Sequence, residues 1–207
     1  MSLRSILLRG ATVLIAGALG AGSSATYAAE TWTPITPQAS ELYFALDMPQ
    51  TIEDGGWSAN SSHRPYRIVS EPRSALYPLA AIYLVRLAPN YFYHTTTDAN
   101  AALQKFSYLK SGYEILQEQR ELATRSFRTS YLTVKFRGRE CVVFSGKSGQ
   151  GGGDAQVSDG TSAMLGFYCQ PEAKDLKSEA VTIVLNAIGT KAEGSLAPEP
   201  VPAPYQE

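Results

Sequence analysis

The chain has 207 residues, of which 44% are hydrophobic, and its 18 basic residues stand against 19 acidic ones. An apolar fraction near the globular average and a low net charge exclude a wholly disordered chain. The sequence has no basic block that would hold the phosphates of a nucleic acid, so no nucleic-acid partner is expected.

The N-terminus has the three-part layout of a secretory signal peptide. Two arginines precede a short apolar stretch at residues 11–22, and small residues follow it. Such a leader is cleaved after a small residue, here Ala28, with Ala25 as the alternative site. The apolar stretch is shorter than the roughly 20 residues that span a bilayer. We therefore expect residues 1–28 to be a signal peptide and the mature protein to be periplasmic or extracellular, with no integral membrane span after cleavage.

Residues 29–76 show no clear periodic pattern. Pro34 and Pro37 interrupt the start of this segment, and a breaker run follows at residues 54–56. We therefore expect an irregular N-terminal region, made of loops with short elements.

A hairpin and a helix are predicted next along the chain. β-Branched and aromatic residues at 81–87, followed by a turn and by residues 91–95, indicate two paired strands. The helix is expected to begin at Thr97 or Asp98 as its N-cap and to end just before Gly112.

Four further strands and a second helix follow. Alternating polar and apolar residues or β-rich composition predict the strands at 127–136, 140–145 and 162–169. The composition of residues 113–123 favours a helix, but Gly112 has just ended one, so we expect a strand there. Ser178 is the expected N-cap of the last helix, and Gly189 its end. One buried helical face is indicated by the spacing of Val181, Val184, Leu185 and Ile188.

Together these elements predict an α+β fold. We expect a single domain at residues 77–191, with a mainly antiparallel sheet, two amphipathic helices and one disulfide. Prolines at every second position from 198 to 204 predict a disordered, extended tail at residues 192–207. Because such a tail buries little, its removal is expected to leave the melting temperature unchanged.

Cys141 and Cys169 are the two cysteines of the chain. An even count in an exported protein indicates a disulfide, because that compartment is oxidising. A metal site would need more cysteine or histidine nearby, so no metal and no other cofactor is expected. If the two strands pair antiparallel with the cysteines opposed, Phe144 faces Gly166, where its ring covers the missing side chain.

Three short stretches resemble the C-terminal half of small exported proteins of Gram-negative bacteria. They are residues 139–141, residues 166–169 and the helix that follows, within a similar region of about residues 99–190. The resemblance implies a protein of the bacterial envelope and supports the disulfide. It carries over no catalytic residue.

The sequence contains the residue types of a catalytic triad but lacks a motif that is typical of one. Ser61 or Ser62 beside His63, with Asp54 upstream, supplies the residue types, but the chain has no G-x-S-x-G elbow. No complete set of acid, base and nucleophile is recognisable, so an enzymatic activity is not the favoured expectation. A hydrolase acting on a cell-wall or surface polymer is the alternative function.

Aromatic residues crowd the stretch before the first predicted helix. Tyr91, Phe92, Tyr93 and His94, together with His63, are the candidate contacts with a ligand or partner. The same aromatics are also ordinary strand residues whose rings pack half-buried. We expect a non-enzymatic binding or assembly module of the envelope, whose partner is an envelope protein or polymer.

Overall fold

The computed structural model describes residues 31–58, 62–70, 78–88, 97–106, 109, 112–148, 161–171, 175–192 and 194–204. The strands in these residues are β1 (Thr33–Ile35), β2 (Leu42–Phe44), β3 (Gln50–Asp54), β4 (His63–Ser70), β5 (Ala80–Leu87), β6 (Tyr113–Ala123), β7 (Arg128–Phe136), β8 (Arg139–Ser148), β9 (Ser162–Cys169) and β10 (Ile188–Thr190). The helices are α1 (Ala99–Leu103) and α2 (Ser178–Asn186). The predicted signal peptide and the strand predicted at residues 91–95 lie outside the described residues.

Eight strands form one sheet in the order β1-β3-β4-β5-β9-β8-β7-β6, and every neighbouring pair is antiparallel. β2 and β10 form a second, two-stranded antiparallel sheet. The prediction of a mainly antiparallel sheet with two helices and one disulfide is confirmed. Neither helix in the described part of the chain has the length and apolar character needed to cross a membrane.

The large sheet has a hydrophobic core on each of its faces. On one face, Leu185 of α2 and Leu42 and Phe44 of β2 belong to the same core as Phe144 of β8. On the other face, Leu103 of α1 shares a core with Val143 and Phe167. Consecutive strand residues point to opposite faces, so Val143 and Phe144 serve different cores. Strands that are covered on both faces need nearly continuous apolar sequences, as residues 141–144 of β8 and 163–169 of β9 have.

β8 and β9 pair in the register predicted from the cysteines. Cys141 lies opposite Cys169 with their Cα atoms 3.9 Å apart, and a disulfide joins them. On the next pair, the Gln170 N–H donates to Glu140 O at 3.0 Å. The cysteines therefore occupy a non-hydrogen-bonded position, where opposing Cα atoms approach most closely.

Gly166 lies opposite Phe144 in the same register, as predicted. A Cβ atom on Gly166 would lie 2.4 Å from Cζ of the Phe144 ring. The ring therefore occupies the space that a side chain at position 166 would need, and a larger residue there would force this core to shift.

Residues 29–76 are more regular than predicted. They contain β1, β2, β3 and the eight-residue β4, and three of these strands extend the large sheet beyond β5. The first three are too short to show a clear periodic signal. β4 was not predicted because proline is unusual inside a strand. Pro65 of β4 lies one residue beyond the part of β4 that pairs with β3, so its missing N–H is tolerated.

Both helices differ from their predicted bounds. α1 has only five residues, with Asp98 as its N-cap accepting the Asn100 N–H at 2.9 Å, and it ends well before Gly112. α2 has Lys177 at its N-cap position, and the predicted cap Ser178 is instead its first residue. Its buried residues are Val181, Val184 and Leu185.

Gly189 does not end α2, because α2 stops at Asn186. Gly189 and the buried Ile188 belong to β10, where Gly189 lies opposite Tyr43 of β2. A Cβ atom on Gly189 would lie 2.1 Å from the Tyr43 hydroxyl oxygen. A larger residue at position 189 would therefore force the Tyr43 ring to move.

Candidate partner-binding groove

A groove borders the C-terminal segment, residues 194–204, on the side of α2. This α2 groove has a cavity of about 530 Å³, lined by Tyr43, Ala45, Arg125, Thr182, Ile183, Asn186, Ala187, Pro198, Glu199, Val201 and Pro202. A second cavity of about 440 Å³, the β3 groove, is lined mainly by β1, β2, β3 and residues 196–200. Tyr43, Ala45 and Pro198 line both cavities, so the two grooves adjoin along the C-terminal segment.

The folding of α2 places Ile183 in the groove. Val184 and Leu185 are fully buried against the sheet, whereas Ile183 is 41% exposed. Thr182 and Asn186, four residues apart on the outward side of the helix, line the groove with it. The aliphatic side chain of Ile183 is therefore exposed in the groove and is not buried in the core.

The C-terminal segment is held against residues 45–47 by an isolated β-bridge. The Val201 N–H donates to Ala45 O at 2.9 Å, and the Asp47 N–H donates to Val201 O at 2.8 Å. These bonds form a parallel bridge between Leu46 and Val201, and Ala203 is fully buried. The prediction of an unpacked tail at residues 192–207 is therefore wrong for residues 194–204, and residues 205–207 lie outside the description.

The alternating prolines fit the outer edge of this segment. Successive backbone N–H groups of an extended chain point to opposite sides. The Val201 N–H points inward to Ala45, so the N–H groups at positions 200 and 202 would point outward, and both residues are proline. Because proline has no N–H, the outer edge offers no donor at these positions to a further strand.

The chemistry of the α2 groove favours contact with apolar groups. Its exposed hydrophobic side chains are Ile183 and Val201, the latter 42% exposed. Covering them with apolar atoms of a partner is favourable by roughly 25 cal/mol per Å². Arg125 and Glu199 add one charge of each sign to the lining. The lining therefore combines two exposed aliphatic side chains with one charge of each sign.

His63, a predicted contact residue, lies at the start of β4 and lines neither groove. Its Nδ1 atom is 3.1 Å from Ser62 Oγ, so the structure brings the predicted Ser–His pair together. The carboxylate of Asp54, however, accepts hydrogen bonds from Arg64 Nε at 3.1 Å and from the Gly56 N–H at 2.8 Å. The predicted acid of the triad is therefore engaged by Arg64.

The electrostatics of Asp54 agree with this role as an ion-pair partner. Burial alone would raise the pKa of Asp54, but the hydrogen bonds from Arg64 and Gly56 and the charge of Arg64 outweigh burial. The pKa therefore lies below its ordinary value of 3.8. A carboxylate held ionised in this way is a poor general acid at neutral pH.

A separate aromatic cluster fastens the residues before β1 to the sheet. The Trp32 and Tyr83 rings meet edge to face with centroids 6.2 Å apart, and the Arg67 guanidinium lies 4.4 Å from the centroid of Trp32. Arg67 also pairs with Glu53. Burial acts to lower the pKa of Arg67, but the hydrogen bond and charge of Glu53 and the contact with Tyr83 raise it overall. The cluster has satisfied contacts and is a structural clamp.

Tyr91, Phe92, Tyr93 and His94 lie outside the described residues, so their role as ligand or partner contacts stays a prediction. Within the part of the chain that the structure describes, no group of three histidine, cysteine, aspartate or glutamate residues is placed to hold a metal ion.

No protein family, curated protein or solved structure matches this chain. The resemblance to exported proteins of Gram-negative bacteria therefore stays a prediction. The assignment of a function rests on the geometry of the grooves and on the sequence.

Sequence reasoning missed the groove because its residues come from four separate parts of the chain. One signal was nevertheless present. Ile183 lies outside the helical face predicted from Val181, Val184 and Leu185, so it is an aliphatic residue left for the surface. A second signal was the strict alternation of prolines, which is also typical of a protected sheet edge.

Proposed function

We propose that the protein is an exported module of the bacterial envelope that binds or assembles with a partner and has no enzymatic activity. The partner docks in the α2 groove. The observation that carries this proposal is the pair of exposed aliphatic side chains, Ile183 and Val201, in a cavity of about 530 Å³. A cavity of this size and lining is suited to a cluster of apolar side chains.

Export is supported by two features of the chain. The N-terminal 28 residues have the composition of a signal peptide. The disulfide between Cys141 and Cys169 is of the kind that persists in an oxidising compartment.

The lining of the groove favours a protein partner over a polysaccharide. Sugar recognition needs several hydrogen-bonding groups beside an exposed aromatic face. The groove has exposed polar side chains, but its exposed hydrophobic side chains, Ile183 and Val201, are aliphatic, and the Tyr43 ring in its lining is buried. The prolines of the C-terminal segment also discourage addition of a strand at its outer edge. The partner is therefore an envelope protein that inserts apolar side chains.

Site-specific photo-crosslinking in a Gram-negative host tests this proposal. A photoreactive residue at Ile183 should yield an adduct of defined mass in the periplasm, because this position faces the partner. The same residue at Lys135, an exposed position on β7 that lines neither groove, should yield none. Equal yields at the two positions, or a protein retained in the cytoplasm with residues 1–28 attached, would contradict the proposal.

The contact of Ser62 with His63 keeps a hydrolase as the second candidate. A panel of hydrolase substrates should show no activity that depends on His63, because Asp54 is engaged by Arg64. An activity present in the wild type and lost in His63→Ala would establish the enzyme instead.

A further inference from the structure

We propose that the strand position beside residues 45–47 also accepts, in trans, an extended segment of a partner protein in which proline alternates with small apolar residues. The C-terminal segment is its competitor in cis. This inference rests on the proposed binding role of the same face. It specifies the class of peptide that is recognised and the way in which access is regulated.

The first argument is the small number of contacts that hold the C-terminal segment. Its backbone hydrogen bonds to the body of the protein are the two of Val201 in the parallel bridge and one from the Gly194 N–H to Gln38 O at 3.2 Å, and Ala203 is the buried residue of the segment. Leu196 is 80% exposed, and the prolines at 198, 200 and 202 are also exposed. A segment held by so few contacts belongs to the low-stability end of a structure and opens locally.

The second argument concerns the groove that would remain if the C-terminal segment moved away. The α2 groove and the β3 groove share Tyr43, Ala45 and Pro198 in their linings. Pro198 belongs to the segment, so its departure joins the two cavities into one continuous groove. The two cavities beside the segment, of about 530 and 440 Å³, are space that its own side chains leave unfilled.

The contacts at the strand position beside residues 45–47 also determine which peptide sequences can bind there. The bridging residue must have an N–H, because this group donates to Ala45 O at 2.9 Å. The position two residues later must be small, since Ala203 is completely buried. The flanking positions 200 and 202 have N–H sites that point outward, so proline is accepted there and preorganises the extended form. The recognised class is therefore an extended segment of the type Pro-Val-Pro-Ala.

Fluorescence anisotropy with full-length mature protein tests the inference. The probe is a fluorescein-labelled synthetic peptide with the sequence of residues 196–204. Two variants weaken the seat of the C-terminal segment by independent means: Val201→Pro removes the bridging N–H, and Ala203→Glu puts a long charged side chain in a buried position. Ser195→Ala is the control, because Ser195 is an exposed residue of the segment that lies outside the bridge and lines neither groove.

Both weakened variants should bind the peptide saturably and about two- to ten-fold more tightly than the wild type, since the competitor in cis has been weakened. Ser195→Ala should resemble the wild type. A peptide with proline in place of the bridging valine should not bind, which separates strand pairing from apolar adsorption.

Absence of peptide binding by both Val201→Pro and Ala203→Glu, with circular dichroism spectra like that of the wild type, would overturn the inference. Equal affinity for wild type and both variants would show that the segment does not compete. Neither result would affect the adduct formed at Ile183, so failure of this inference is distinguishable from failure of the proposed function.

Discussion

Leu46 and Val201 face each other in a parallel bridge that ties the C-terminal segment to the residues after β2. The flanking bonds, from Val201 N–H to Ala45 O and from Asp47 N–H to Val201 O, are 2.9 and 2.8 Å long. The bridge makes a proline-rich segment part of the fold and places Val201 in the wall of the α2 groove.

The bridge predicts a difference between two neighbouring substitutions. Val201→Pro removes an inward N–H and should destabilise the protein by about 0.5–1.5 kcal/mol. In a protein of this size, this corresponds to a fall of a few degrees in the melting temperature. Pro202→Ala adds an outward N–H and should change the melting temperature little. Equal melting temperatures for the two variants would contradict the inward orientation of Val201.

Truncation of a buried side chain of α2 should lower the free energy of unfolding. Leu185 is completely buried in the core between α2 and the sheet, so Leu185→Ala should destabilise the protein by about 2–5 kcal/mol. Asn186, the next residue, is exposed, and Asn186→Ala should be nearly neutral. Urea denaturation of both variants measures the difference, and similar free energies of unfolding would show that α2 is not docked.

Replacement of both cysteines by alanine should also destabilise the protein. The bond between Cys141 and Cys169 spans 28 residues, and the chain-entropy estimate for such a loop is about 3.5 kcal/mol. Thermal unfolding of the double variant measures this loss. Thiol titration of denatured, unreduced protein from the periplasm should detect no free cysteine, whereas two titratable thiols would contradict the disulfide.

The ion pair of Asp54 and Arg64 predicts a dependence of stability on pH. The folded-state pKa of Asp54 lies below 3.8, so the pair stabilises the fold above about pH 3.8 and loses this effect as the pH falls through the folded-state pKa. Asp54→Asn should therefore be less stable than the wild type at pH 7, and the difference should shrink below pH 3.8. Denaturation from pH 2 to pH 7 measures it, with Glu199→Gln as the exposed control. A constant difference across this range would refute the assignment.

The parts of the fold that could be predicted from the sequence are those set by residues close together on one strand or one pair of strands. The alternation in β7 and the antiparallel strands around the cysteines fixed the elements, and the opposed cysteines fixed the register of Phe144 with Gly166. Each of these features acts through adjacent side chains on one strand pair, so the sequence alone carries the information.

Other features depend on partners that are distant in sequence. The bridging residue Val201 pairs with Leu46, which lies 155 positions earlier in the chain. No local sequence pattern predicts such a distant partner. Gly189 has the appearance of a helix terminator, but its role is set by the ring of Tyr43 on another strand. The α2 groove was missed for the same reason, because its lining assembles only when these distant segments meet.

Amide hydrogen exchange of the mature protein tests the central claim most directly, since the groove exists as described only if the C-terminal segment is seated. The N–H groups of Val201 and Asp47 are both donors in the bridge, so both should be protected. The N–H of the exposed Glu199 should exchange much faster. Exchange of Val201 at the rate of an unstructured peptide, together with unprotected Asp47, would contradict the account.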